Sequence, residues 1–573
     1  MRFRSLAGLA FLFLGGCFSP SCDNTVYADC GHDFDCDSSE ICDIWHCREA
    51  RLCSAGCQPG EVCVQRDPAP AANPFESDHA GKQVCECMEG FLCGEGAGGF
   101  GPGGFAGEGG STGTTGTTGT TGNGGFGGGQ PPCSIDNPEE GSISALGGVG
   151  SETGPLFAKD RKAFAIGFEG TLDSLTPPLT SSGDSDVMVA GSKDGSTIDW
   201  VRAIGNDSRN VPTAIAAWSD AVLVATPFKG TLDTGDGTLD SGDGSAAAVV
   251  LLSTVDGSIH WSHAVHTDGA VELTAVARGG GGVASSVLIA GSYSGTLDLG
   301  STKLLNAGEL DAFVASIDVT THETLWFHTF GGAGEETITA LGTQGFGDIY
   351  LAGTFDVNLI VDTAPTAVAD GQDAFLVHIF PSGILSWKNI IQGPGSQTVT
   401  AIATPWSSGT VITGTRGGPG VAPAEMYFDG GLTLQGSGLV DGFVARVSQD
   451  GLITSGALLA GAPGTGVVIP TAIDADCGAA GYLVGGTAED GAQFGEYTLS
   501  SSGKRDAFIH KVSDTWEPVW TLALGTPEDD SITALVRATS GTLHAGGVFS
   551  GSGGTLGLTS AGAEDAFFLE VKP

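Results

Sequence analysis

Residues 287–341 read VLIAGSYSGTLDLGSTKLLNAGELDAFVASIDVTTHETLWFHTFGGAGEETITAL, and the same pattern recurs along most of the chain. The position of Gly291 within it returns as Gly167, Thr226, Gly353, Gly414, Gly486 and Gly546, so seven units follow one another at steps of 59, 65, 62, 61, 72 and 60 residues. A period of this size marks a repeat architecture, in which each unit buries its apolar faces against its neighbours. Every unit holds four short strand-like runs bounded by turn residues. The first is Thr-Ala-aliphatic, at Thr213, Thr274, Thr339, Thr400 and Thr533. The second is β-branched and ends in small residues, as in Val287–Gly291 and Ile349–Gly353. The third opens on Asp followed by Ala or Gly and Phe, at Asp311, Asp373, Asp441, Asp506 and Asp565, with Asp186-Val187-Met188 as a variant. The fourth carries Trp200, Trp261, Trp326, Trp387 or Trp520.

Four antiparallel strands repeated seven times predict an all-β, seven-bladed β-propeller over residues 133–573, with four-stranded blades packed face to face. From about residue 141 onward the units resemble the β-propeller repeats of bacterial surface proteins, a resemblance that implies fold and leaves the ligand open. The recurring Trp and Phe are expected as core residues between blades. Two units depart from the pattern. Unit two replaces its Asp with Ala246-Ala247-Ala248. Unit five has Leu452–Ser455 in place of a Trp and a Pro/Gly-rich insertion at Arg416–Gly431. The last unit stops after its third strand, Asp565–Val571, while Ile143–Glu152 aligns with the fourth strand and loop Phe327–Glu336. The N-terminal strand is therefore expected to complete the last blade and remove an exposed edge.

Composition narrows the function class. Gly is 95 of 573 residues, which fits a turn-rich β protein rather than a helical one. The net charge of −43 repels phosphate backbones, so nucleic-acid binding is excluded.

Ahead of the repeats, residues 1–16 (MRFRSLAGLAFLFLGG) carry Arg2 and Arg4 before an apolar run too short for a final membrane span. Leu14-Gly15-Gly16-Cys17 resembles the lipobox of bacterial lipoproteins, which implies cleavage before Cys17 and diacylation of its thiol. With no Asp after Cys17, an outer-membrane or cell-surface destination is expected. Residues 17–93 hold eleven further cysteines: Cys22, Cys30, Cys36, Cys42, Cys47, Cys53, Cys57, Cys63, Cys85, Cys87 and Cys93. In an exported chain they form a disulfide framework rather than a zinc cluster, since no Cys-x₂-Cys pair is present. The run Cys85–Cys93 is similar to the tail of an EGF-like domain, with a shorter final gap. Residues 94–132 are a Gly/Thr-rich flexible linker. The remaining Cys133 and Cys477 fall on one side of the disc once the propeller is closed, where a bridge between them competes with pairing of Cys133 to the stalk.

No catalytic constellation emerges. His260, His263 and His266 are the densest His cluster, but at this spacing they cannot share a metal from one strand. Residues 235–243 (GDGTLDSGD) glance toward a calcium loop without its spacing or closing Glu. Loops from the fourth strand to the next first strand, and from second to third, gather carboxylates on one face. Glu335, Glu336, Asp529 and Asp530 are its candidate site for Ca²⁺ or a basic ligand, and no other cofactor is expected. The expected function is non-enzymatic: a lipid-anchored surface protein binding a cell-surface protein or glycan. The alternative is an extracellular lyase or glycosidase acting on polysaccharide.

Overall fold

The computed structural model describes residues 135–572, except 136–137, 159–162, 193–196, 219, 236, 243, 281–285, 301, 345–346, 406–408, 419–424, 477–480 and 539–540. Before residue 135 it describes four strands only: Glu40–Asp43 paired with His46–Glu49, and Glu61–Gln65 paired with Gln83–Cys87. Their backbone registers set Cys42 opposite Cys47 and Cys63 opposite Cys85. The other cysteines of that module except Cys87, and Cys17, Cys133 and Cys477, lie outside the described residues. The chain divides into two units, Met1–Asn123 and Gly124–Pro573.

The second unit is a β-propeller, and every described element in it is a strand. Unit three shows the blade: Val271–Arg278, Ser286–Tyr293, Asp311–Asp318 and Thr324–Gly331, each antiparallel to the next. The closing blade runs Asp530–Arg537, Leu543–Phe549, Asp565–Lys572 and then Glu139–Leu146, with Phe567 opposite Ala145 and Leu569 opposite Ile143. The two ends of the repeat region thus share one sheet, as the alignment of Ile143–Glu152 with Phe327–Glu336 predicts. First strands pack against first strands around the axis, from Leu156–Phe157 through each unit to Asp530–Arg537, which returns to Leu156–Phe157.

Counted by hydrogen bonding, the propeller has six sheets of four or more strands rather than seven separate ones. A short parallel ladder, Gly371 to Gly395 and Gln372 to Ser396, joins the blades of units four and five into a ten-stranded sheet. Sheets also grow beyond four strands because hairpins between second and third strands reach back onto the preceding blade. Thr296–Asp298 pairs with the outer strand of unit two, Asn358–Val361 with that of unit three, and Glu425–Phe428 with that of unit four. The insertion of unit five is therefore partly a cover for its neighbour's outer edge.

The repeated residues have separable jobs. In five first strands a bulge falls at the Thr of Thr-Ala: Thr274, Thr339, Thr400, Thr471 and Thr533. A bulge re-aims its side chain. Here Thr400 Oγ1 donates to Pro470 O of the next blade at 2.7 Å and Thr533 Oγ1 to Pro155 O at 3.0 Å, stapling the inner ring. The Phe after the third-strand Asp (Phe313, Phe375, Phe443, Phe508, Phe567) is fully buried, each contributing about 2–3 kcal/mol. The outer-strand Trp reaches into the next blade's turn between third and fourth strands. Trp200 Nε1 donates to Thr254 O, Trp326 to Pro381 O and Trp387 to Gln449 O, at 2.9, 3.3 and 2.9 Å.

That turn holds a left-handed residue two places before the fourth strand pairs. It is Gly257, Gly383 and Gly451 in units two, four and five, but His322 (φ 61°) in unit three and Trp516 (φ 69°) in unit six. A Cβ on Gly257, Gly383 or Gly451 would run into the Trp of the preceding blade. Unit five has no such Trp: Ser455 stands in its place in the register, opposite Arg446. Trp516 fills the gap from the other side, with the Arg446 guanidinium 5.5 Å from its ring.

Candidate functional site

Except between units two and three, each blade seam is built around the third-strand Asp. Asp186, Asp311, Asp373, Asp441, Asp506 and Asp565 are all at most 3% exposed. They accept backbone N–H bonds from the turn before them: Ser182, Ala307, Asp370, Ser437, Ser502 and Ala561 donate at 2.8–3.3 Å. Across the seam the next loop approaches so closely that a Cβ on Gly147, Gly205, Gly331 or Gly525 would strike the carboxylate. A parallel backbone bridge then pins the loop: Ser151 to Glu564, Arg209 to Ser185, Glu335 to Leu310, Val467 to Val440, Asp529 to Arg505, and Gly395 to Gly371.

The bridge sets the residue after it beside the Asp. In three seams that residue is a second acid, and its carboxyl is driven toward the neutral form. Burial first, then Asp565, pushes Glu152 up to about 8. Burial, then Asp311 and Asp356, pushes Glu336 up to about 8. Burial outweighs the Thr526 N–H bond and raises Asp530 to about 6, with Asp506 adding to the rise. Neither carboxyl oxygen of Glu336 receives a hydrogen bond. Two buried like charges in contact resist ionising together, so Glu152 and Glu336 keep a proton at neutral pH, while Asp530 gives its proton up as pH rises through about 6. The other bridged seams avoid the conflict differently, with the amides Asn210 and Gln397, or with Val468 where Arg416 pairs with Asp441 at 3.0 Å.

The structure divides the four carboxylates singled out from the sequence between two non-adjacent seams. Glu336 and Asp530 are buried in the seams, while Glu335 and Asp529 are exposed beside them. Among the described residues no group of three or more His, Cys, Asp or Glu side chains is arranged to hold a metal ion.

The seam between units two and three departs from the others in its Asp, which is replaced by Ala246. His266 stands where four seams have the close-approaching Gly, and Val271, like Val468, where three have the second acid. Among the described residues no parallel bridge joins the strands there. A groove of about 600 Å³ opens at this point, lined by Ser241, Gly244, His266, Thr267, Asp268, Thr296, Asp298 and Lys303. The hairpin from unit three forms one wall, with Asp298 in register with His266. The Thr296 N–H, at 2.5 Å from Asp268 Oδ1, holds that carboxyl below its usual range. Burial works the other way on Asp298, but the Lys303 ammonium at 3.1 Å and the Gly300 N–H keep it low as well. Thr267 Oγ1 is committed to Ser294 O at 2.6 Å. The His266 imidazole has no hydrogen-bond partner among the described residues. The groove therefore presents two ionised carboxylates, one ammonium and one open imidazole.

No known protein family matches the chain, and no curated protein matches it. Among solved structures it is similar to Sqt1 from Chaetomium thermophilum, at 10% identity and a TM-score of 0.38, covering 76% of this chain and 100% of that one. It is also similar to the Dos1 propeller, at 10% identity and a TM-score of 0.35, covering 75% and 95% of the two chains. A quinohemoprotein alcohol dehydrogenase from Comamonas testosteroni matches at 11% identity and a TM-score of 0.35, covering 76% and 77%. At these scores the likenesses carry nothing about function.

Proposed function

We propose that this chain is an exported, lipid-anchored surface protein whose seven-bladed propeller binds a hydroxyl-rich, uncharged glycan in the groove between units two and three. The blade count follows the ring of first strands, with the ten-stranded sheet taken as two blades joined by a two-residue ladder. The observation that carries the binding role is the loss of the seam Asp, replaced by Ala246, together with the lack of a parallel bridge among the described residues, at the point where the groove opens. Elsewhere an Asp and a bridge close the seam, so a groove here is a departure built into one blade. Sugar hydroxyls complement its groups, donating to Asp268 and Asp298 and accepting from Lys303 and His266. The surrounding charge disfavours anionic glycans.

The groove suits binding better than hydrolysis. A glycosidase needs one carboxyl kept protonated as general acid beside an ionised partner, and both groove carboxylates are held ionised. The acids whose carboxyls are pushed upward, Glu152, Glu336 and Asp530, are at most 1% exposed and out of reach of a substrate. The test is a glycan array probed with the full chain and with the double variant His266→Ala/Lys303→Ala. Neutral glycans retained by the wild type and released by the variant support the reading. Equal binding by both proteins, or no neutral glycan retained, refutes it.

A further inference from the structure

The same seam breaks the repeat a second time, in the turn between the third and fourth strands of unit three. We propose that His263 and His322 form a binding site for a divalent transition-metal ion of the Zn²⁺ or Cu²⁺ kind, independent of the groove.

His263 lies on the outer strand of unit two, two residues after Trp261, and His322 lies in the turn of unit three. The Nδ1 atoms of the two rings face each other at 3.3 Å. Two imidazole nitrogens held about 2.0–2.1 Å from a tetrahedral metal stand about 3.3–3.4 Å apart, so the donors are already at the spacing of one edge of such a site. Trp261 fixes both rings, stacking on His263 with centroids 5.6 Å apart and on His322 at 5.4 Å. Metal binding needs one ring to move its proton from Nδ1 to Nε2, and no proton is lost overall.

A structural explanation of His322 fails on two counts. The position takes Gly in units two, four and five, and His at φ 61° carries a backbone strain of about 1 kcal/mol that Gly would not. In the neighbouring seams the Gly turn also offers a carbonyl to the Trp indole, whereas Trp261 Nε1 is buried here without a partner among the described residues. His322 therefore costs the fold both a relaxed turn and a hydrogen bond. The equivalent histidine one blade on, His328, is tied instead to Gly383 O at 2.7 Å and Asp362 at 2.9 Å. With two protein donors and an exposed His322, the remaining coordination positions are left to water or to an incoming ligand, so the ion is exchangeable rather than structural.

The test is calorimetric titration of the oxidised full chain with ZnCl₂, wild type against His322→Gly and His263→Gln. The wild type is expected to bind one more equivalent of Zn²⁺ than His322→Gly, or that equivalent at least ~10-fold more tightly. His263→Gln is expected to show the same loss. His322→Gly restores the residue used in the other turns, so its melting temperature without metal stays level or rises, which separates lost binding from lost folding. Identical isotherms for wild type and His322→Gly up to ~1 mM Zn²⁺ overturn the proposal. So does a His322→Gly protein that melts well below wild type, since that assigns the histidine a structural role.

Discussion

Replacing Glu336 by glutamine separates a seam held by a proton from one held by charge. In the unfolded chain this carboxyl titrates near 4.3, and in the propeller it is pushed up to about 8 by burial, Asp311 and Asp356. Between those values the folded protein keeps a proton that the unfolded chain has released, so stability falls as pH rises. The contribution is intact below the unfolded value and is lost progressively as pH climbs through about 8. At about 1.4 kcal/mol per pH unit the window corresponds to at most about 5 kcal/mol, and about 2–3 kcal/mol once the interior is given an effective dielectric near 20. Glutamine carries no charge to desolvate. Glu336→Gln should therefore match wild type within about 0.5 kcal/mol at pH 5 and exceed it by about 2–3 kcal/mol at pH 8. An unfolding entropy of about 2.1 cal/mol/K per residue over the propeller makes this about 2–3 °C in melting temperature. Calorimetric scans of both proteins at half-unit steps of pH are the assay. A variant that melts below wild type by the same margin at every pH refutes the protonated-carboxyl account.

Two further outcomes follow from the same contacts. A chain beginning at Pro155 loses the closing strand Glu139–Leu146, and also Ile135 O, which accepts from Trp520 Nε1 at 2.6 Å and Lys511 Nζ at 3.1 Å. It should melt far below a chain beginning at Cys133, and equal melting temperatures sink the closure. Arg416→Met strands the fully buried Asp441 carboxylate and should cost about 3–5 kcal/mol in urea unfolding, whereas a loss under ~1 kcal/mol contradicts the buried pair.

The propeller is legible in the sequence because its rules are local. Asp311-Ala312-Phe313 announces a strand entry and a core ring within three residues, and its recurrence gives the period. The chain closure is legible for the same reason, since Ile143–Glu152 repeats a pattern already seen at Phe327–Glu336. The site chemistry lies in contacts between units, and these the linear pattern does not display. Glu336 and Glu335 are neighbours in one acidic loop, but the bridge from Glu335 to Leu310 turns one into the seam and leaves the other in water. His263 and His322 stand 59 residues apart, about one repeat, and only blade packing brings them together. The histidines along one strand, 260 to 266, are too far apart to act together, and the ring that meets His263 comes from the next blade. A signal was present in one departure: Ala246 breaks the Asp that opens the third strand in the other units, and the groove lies at its seam. Trp516 is the complementary case, a residue that looks like a stray aromatic until Ser455 is seen to leave its space.

The pairing of Glu139–Leu146 with Asp565–Lys572 also settles how the domain meets mechanical load. Residues 1–132 are covalently continuous with that outermost strand, so any pull on them enters the propeller at the blade made from both ends of the repeat region. The clasp is the point where the ring is closed by backbone bonds between strands far apart in the sequence: if that ladder parts, the ring of blades is open.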